Sequence, residues 1–156
     1  MEIDKLIQTL TQGTILARAT AAERLGKSGD KRAIPPLLEA LSDPDAKVRS
    51  NSAFALGQLG AREAVPVFID LVAEDSDAWV RKSAAKALGI LKARKAVDAL
   101  ARALNDGAAV VRKNAVRSLG QIATHEAMKA LERVTKHEDP TVAQAAKLFL
   151  KGVRLD

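Results

Sequence analysis

The chain has 156 residues, of which 47% are hydrophobic but only 3% aromatic, and it carries a net charge of +6. This composition is ordinary for a chain that buries a core, so it argues against disorder over the whole length and favours helices over a β-sandwich or barrel. With no cysteine in the sequence, a disulfide framework, a thiolate nucleophile and a Cys-ligated metal site are excluded.

The first residues, MEIDKLIQTL, are acidic and amphipathic and lack the basic and apolar regions of a signal peptide. The sequence contains no uncharged apolar stretch of the roughly 18 residues that a membrane-spanning helix needs. We therefore expect a soluble, cytoplasmic protein without a membrane partner.

An internal repeat governs the rest of the sequence. Shifting the chain by 31 or 32 residues aligns AKVRSNSAFALGQLG (46–60), AWVRKSAAKALGILK (78–92) and AVVRKNAVRSLGQIA (109–123). The first and last copies, LARATAAERLGKSG and PTVAQAAKLFLKG, are degenerate. The spacing predicts a single domain of five units, with approximate bounds 1–29, 30–60, 61–92, 93–123 and 124–156.

Each unit contains two segments with helical periodicity. In the second segment of one unit, Val48, Ala53, Leu56 and Leu59 recur on one helical face, and the other units repeat the pattern. We predict that the second helices are N-capped at Asp43, Asp75, Asn105-Asp106 and Asp139. Left-handed helix ends are predicted at Gly29 and Gly60. First helices are predicted to start near Pro35, Pro36 and Pro66. Because one hairpin cannot cover its own apolar face, the units must stack into an all-α solenoid.

The motif D-x-x-x-V-R-x-x-A-A-x-A-L-G-x-L-G, clearest from Asp77 to Gly89, resembles the HEAT-like repeat of the phycobilisome-lyase type. The resemblance covers essentially the whole chain. It implies a right-handed α-α superhelix, a short HEAT-like solenoid of the armadillo-like class with about five hairpins, whose second helices line a concave binding face. This family includes bilin lyase subunits, scaffold modules, DNA glycosylases and engineered binders, so the fold alone does not select a function.

Carried onto this chain, the resemblance places a predicted partner-binding set on the concave face: Asn51, Phe54, Trp79, Lys82, Lys86, Lys113, Asn114, Arg117 and Gln121. Residues 1–78 carry a net charge of −3 and residues 79–156 a net charge of +9, so this groove is basic in the third and fourth units. Phe54 and Trp79 fall outside the buried stripe and suit anchors for a partner. The alternative is that Trp79 covers a junction between repeats and Phe54 fills a gap in the uneven stack.

Four arginines recur once per unit, and a planar fork of donors suits a structural ladder between adjacent hairpins. They are Arg18, Arg49, Arg81 and Arg112. Another basic group, Lys92, Arg94 and Lys95, lies at a turn, where it forms either a solvated turn or an edge contact to phosphate.

The sequence offers little chemistry for catalysis. It contains no Gly-rich phosphate loop, no nucleophile elbow and no convergent carboxylate pair, so we predict no catalytic residues. His125-Glu126 and His137-Glu138 resemble the pairs of deoxyhypusine hydroxylase, but they border one helix and the two histidines would be about 18 Å apart if helical. We therefore expect neither a metal site nor a cofactor.

Three functions remain open. The first is a non-catalytic interaction or scaffold module that holds an acidic segment of another protein in the basic groove. The second is nucleic-acid binding through the same surface, which predicts a steep salt dependence of affinity. The third is a bilin lyase subunit or tetrapyrrole chaperone, in which groove cations would meet propionates.

Overall fold

The computed structural model describes residues 2–155, and within that range it contains ten α-helices and no β-strand. The helices are α1 (Glu2–Gln12), α2 (Ile15–Ser28), α3 (Ile34–Ala40), α4 (Ala46–Gln58), α5 (Val65–Glu74), α6 (Ala78–Ile90), α7 (Val97–Ala103), α8 (Ala109–Ile122), α9 (His125–Glu132) and α10 (Pro140–Leu150). Short 3-10 turns at Lys31–Ala33, Arg62–Ala64 and Arg94–Ala96 lead into α3, α5 and α7. The all-α fold class is confirmed.

Local sequence determines where these helices begin and end. Prolines occupy the first turn of α3, α5 and α10, where the missing N–H removes no helical hydrogen bond. Gly29 and Gly60 follow α2 and α4 in the left-handed conformation, with φ of 71° and 72°. These predictions are confirmed.

The predicted N-caps are only partly correct. Asp139 caps α10 by accepting the Thr141 N–H, but α4 and α6 are capped by Asp45 and Asp77. Asp43 and Asp75 lie two residues earlier, and their carboxylates accept hydrogen bonds from arginine side chains instead. No side chain caps α8, because its N-cap residue is Ala108.

The second helices, which are the even-numbered ones, form the inner layer of the stack. The contacts of α4 with α2 and α6, and of α6 with α8, are the most extensive in the fold, whereas α1, α3, α5, α7 and α9 touch one another much less. Small residues permit the close approach: a Cβ added to Gly57 would lie 3.1 Å from the Cα of Ala87. The array therefore curves toward the second helices, which line its concave face.

The core is continuous between these layers. The predicted stripe of Val48, Ala53, Leu56 and Leu59 is buried, as is the matching stripe in α6. Phe68 of α5 is the largest fully buried side chain in the described residues. Each unit thus buries the apolar face of its neighbour, as stacked repeats require.

The four recurring arginines join consecutive units along the edge where the second helices begin. Arg81 donates from Nε to Asp106 Oδ2 at 2.8 Å and from Nη2 to Asp106 Oδ1 at 3.0 Å. Its third nitrogen, Nη1, donates to the Asp75 carbonyl at 2.9 Å. The same forked pairing joins Arg18 to Asp43 and Arg49 to Asp75, whereas Arg112 binds Asp139 through Nε, which donates to Oδ2 at 2.9 Å.

These pairs shift the titration of their carboxylates. The Arg18 guanidinium lowers the pKa of Asp43, and the Arg112 guanidinium lowers the pKa of Asp139. Partial burial raises the pKa of Asp106, but the hydrogen bonds from Arg81 and the Ala108 N–H outweigh it, so the net shift is downward.

Candidate functional site: a basic concave groove

The concave face of α4, α6 and α8 displays two aromatic side chains beside a group of cations. Trp79, in the first turn of α6, is 60% exposed, while Phe54 of α4 is half-buried. The Lys86 ammonium lies 4.8 Å from the centroid of the Phe54 ring, and the Lys82 ammonium lies 5.6 Å from that of Trp79. Both lie within cation–π range, so each lysine is held over an aromatic face.

Four cations form a basic quartet, two on each of two neighbouring helices. Lys82 and Lys86 lie one turn apart on α6, and Lys113 and Arg117 lie one turn apart on α8, so each pair is separated by about 6 Å along its helix axis. The ion pairs of residues 2–155 include none of these four side chains. Partial burial lowers the pKa of Lys82, and repulsion from Lys86 lowers it further. A negatively charged ligand between the helices would relieve this repulsion.

The amide side chains of the predicted set have other roles in the fold. Asn51 donates its amide to the Ala19 carbonyl of α2 at 2.9 Å, and Asn114 donates to the Val110 carbonyl of its own helix at 2.7 Å. Gln121 is exposed at the end of α8, and its side chain lies beside Gly89 of α6. Asn51 therefore helps to fix the spacing of α2 and α4, and the groove's charged character rests on the quartet.

The structure adds two features that the sequence patterns did not reveal. Ser50 Oγ lies 2.7 Å from Ser83 Oγ and 3.2 Å from the Trp79 carbonyl, so a hydroxyl bridge joins α4 to α6 beneath the aromatics. Leu16, which is 66% exposed, occupies the position in α2 that Trp79 occupies in α6. Leu16 immediately precedes Ala17-Arg18, just as Trp79 precedes Val80-Arg81. Alignment of the repeats at this position could therefore have identified Leu16 as an exposed residue of the concave face.

At the other end of the concave face, on α2, charged side chains form ion pairs with one another or with α1. Glu23 of α2 pairs with Lys27 at 2.6 Å, and Lys27 lowers the pKa of Glu23. Arg24 pairs with Glu2 of α1. The unpaired positive charge of the concave face is thus concentrated on α6 and α8.

The histidines do not converge on one site. His125 begins α9, while His137 lies beyond the end of that helix and its Nε2 is 3.1 Å from Asn105 Oδ1. Among the residues that the structure describes, no group of three or more His, Asp or Glu side chains could hold a metal ion. Over residues 2–155 no helix combines the length and the apolar character needed to cross a membrane.

These features define an α-solenoid of short helical repeats with a basic, aromatic-flanked groove. The family model of the HEAT repeats matches three overlapping segments, residues 3–89, 34–113 and 73–151. The chain therefore belongs to the HEAT repeat family, and its architecture is that of a repeat scaffold.

Among solved structures, the complex of CpcE and CpcF of phycocyanin lyase from Nostoc sp. PCC7120 is similar at 28% identity and a TM-score of 0.81. The match covers 96% of this chain but only 65% of the other. Computationally designed armadillo repeat proteins for modular peptide recognition match at 21% identity, with a TM-score of 0.66 over 96% of this chain and 81% of theirs.

A designed armadillo repeat protein in complex with the peptide (KR)4 matches at 19% identity, with a TM-score of 0.70 over 94% of this chain and 79% of the other. At such identities the two armadillo likenesses show the fold alone. A search of curated proteins returns no match.

Proposed function

We propose that the protein is a non-catalytic interaction module that holds an acidic segment of a partner protein in its concave groove. The observation that carries the proposal is the basic quartet of Lys82, Lys86, Lys113 and Arg117. None of these four side chains forms an ion pair within residues 2–155, whereas each of the four ladder arginines pairs with an aspartate. Nearby positive charges without counter-ions favour an anionic occupant and accelerate its association.

The aromatics supply the apolar part of the same surface. Trp79 is 60% exposed and lies next to Lys82. Exposing so large an apolar side chain to water is unfavourable unless a partner covers it. Exposed Trp beside cationic side chains is typical of the residues that carry most binding energy at interfaces. The proposed partner segment therefore combines carboxylates that face α6 and α8 with an apolar side chain that packs on Trp79.

The test uses a fluorescein-labelled peptide of alternating Glu and Leu residues, followed by fluorescence anisotropy and by the emission of the single tryptophan. We expect the triple variant Lys82→Glu, Lys86→Glu, Lys113→Glu to bind at least about tenfold more weakly, since each reversed contact is worth several tenths of a kcal/mol or more. The matched control is Lys129→Glu, Lys136→Glu, Lys151→Glu, which makes the same charge change at exposed positions of the last unit.

Equal weakening by both triple variants would show that net charge, and not the groove, attracts the peptide. A single-stranded oligonucleotide in place of the peptide tests nucleic-acid binding. Saturable binding whose logarithm falls with log salt by about 0.7 per phosphate contact would favour nucleic acid as the partner instead.

A second candidate function, a bilin lyase subunit or tetrapyrrole chaperone, is favoured by the 28% identity to the phycocyanin lyase complex. In that case the quartet would bind the two propionate groups of the tetrapyrrole. A shift of the bilin's visible absorbance on mixing, lost in the groove triple variant and kept in the matched control, would support it.

A further inference from the structure

The exposed face of α5, a first helix of the outer layer, combines two carboxylates with an apolar side chain. Residues 64–78 contain four carboxylates and no lysine or arginine. Two of the four serve the fold, one in the arginine ladder and one as the cap of α6. The other two, Asp70 and Glu74, are exposed and belong to no ion pair of residues 2–155. Val67, one turn before Asp70, is 40% exposed, and we call these three residues the acidic face of α5.

The acidic face and the groove share one spacing. The three residues of the acidic face occupy positions i, i+3 and i+7 of α5. On α6, Trp79, Lys82 and Lys86 also occupy positions i, i+3 and i+7. Residues at this spacing lie on one side of a helix. Two parallel helices that meet along these sides therefore place Val67 opposite Trp79 and each carboxylate opposite a cation.

We propose that the acidic face of α5 from a second copy of this chain occupies the concave groove, with α5 parallel to α6. The apolar residue then packs on the Trp79 ring, and the two carboxylates face Lys82 and Lys86 in turn. Lys113 and Arg117 take the equivalent positions on α8, so each carboxylate also has a second cation beside it. Complementary charges select this register. The inference rests on the groove of the proposed function and gives that groove an occupant from the same chain.

The contact uses different faces of the two copies. The acidic face lies on the outer layer of first helices, whereas the quartet lies on the inner layer of second helices. A contact between unlike faces leaves one acidic face and one groove free, so association can continue beyond a dimer. Because one helix face buries less area than a standard interface and its charges are exposed, we expect weak association that salt suppresses.

The test is sedimentation velocity of the protein from about 10 μM to about 1 mM, at low and at high salt. We expect the weight-average mass to rise with concentration at low salt and to return toward that of one chain at high salt. The double variant Asp70→Lys, Glu74→Lys and the groove triple variant should each remain monomeric, since each removes the charge complementarity of the contact. An equimolar mixture of the two should associate, because the intact face of one variant meets the intact groove of the other and the two reversed surfaces also match.

The matched control is Glu126→Lys, Glu132→Lys, which makes the same charge change at exposed positions of α9 and should associate like the wild type. Failure of the mixture to associate, or equal loss of association in the α9 control, would overturn the inference. A protein that stays monomeric at about 1 mM and low salt would also overturn it. If that protein still binds the Glu and Leu peptide in its groove, the proposed function stands and only the occupant inferred here is wrong.

Discussion

Single glycines decide how closely the second helices pack. A Cβ added to Gly26 of α2 would lie 2.6 Å from the Cα of Ala55 and 2.7 Å from its Cβ. Because the obstacle is the backbone of α4, it can be relieved only if the whole helix shifts. Gly26 therefore sets the distance between α2 and α4, and the equivalent Gly57 does so between α4 and α6.

The first prediction is that Gly26→Ala destabilises the protein. At an exposed helical position the same change would stabilise by about 1 kcal/mol, but overpacking should reverse the sign and cost about 1–3 kcal/mol. The free energy of unfolding in urea measures the effect. Gly107→Ala is the control, since its Cβ meets nothing within 4 Å, and wild-type stability of Gly26→Ala would show that the helices can separate without loss.

Residue types predicted the left-handed helix ends only in part. Gly29 and Gly60 were predicted, but Lys92 and Ala123 adopt the same conformation without glycine. After α6, Lys92 N–H donates to the Gly89 carbonyl and Ala93 N–H to the Leu88 carbonyl, as Gly60 and Ala61 do after α4. The bonds that close the helix, rather than the residue at its end, fix φ here, and sequence does not display them.

At the scale of whole elements, periodicity predicted ten helices and the recurrence of the arginines, but not which aspartate each arginine contacts. In Asp43-Pro44-Asp45 the first carboxylate binds Arg18 and the second caps α4. Both aspartates suit a cap by residue type. Only the distance between neighbouring hairpins distinguishes them, and that distance depends on packing. The Phe54–Lys86 contact across α4 and α6 was unpredictable for the same reason.

The ladder predicts how stability depends on pH. The pKa values of Asp43, Asp106 and Asp139 are lower in the folded protein than in the unfolded chain. Their contribution is complete above the unfolded pKa of about 3.9 and is lost as the pH falls through the lowered folded values. We therefore expect that these three groups leave the melting temperature nearly unchanged between about pH 7 and 5. Below about pH 4 their protonation should lower it.

Asp106→Asn tests this assignment by thermal denaturation across the same pH range. It should be less stable than the wild type at pH 7, because Arg81 loses its charged partner, and the difference should shrink as the pH falls below about 4. Asp70→Asn, on the exposed side of α5, should follow the wild-type curve. A difference between Asp106→Asn and wild type that stays constant down to pH 2 would contradict the assignment.

At the scale of the whole molecule, each unit is stabilised mainly by its immediate neighbours, as in other stacked repeats. The ladder ends at Arg112–Asp139, since α10 has Ala143 where the preceding second helices have arginine. The contact between α8 and α10 is also less extensive than those among α2, α4, α6 and α8. The last unit is therefore held by fewer interactions than the central ones.

This difference predicts that the α9–α10 unit opens before the rest of the array. Native-state hydrogen exchange should show lower protection in α9 and α10 than in α4 and α6. Arg112→Ala should lower protection further in α9 and α10 and leave α4 nearly unchanged, because the lost bonds join only the last two units. Arg49→Ala, which removes the equivalent pair in the centre, should lower protection in α4 and α6 instead. If both variants lowered protection uniformly along the chain, the stack would open as one cooperative unit and the nearest-neighbour description of its stability would be wrong.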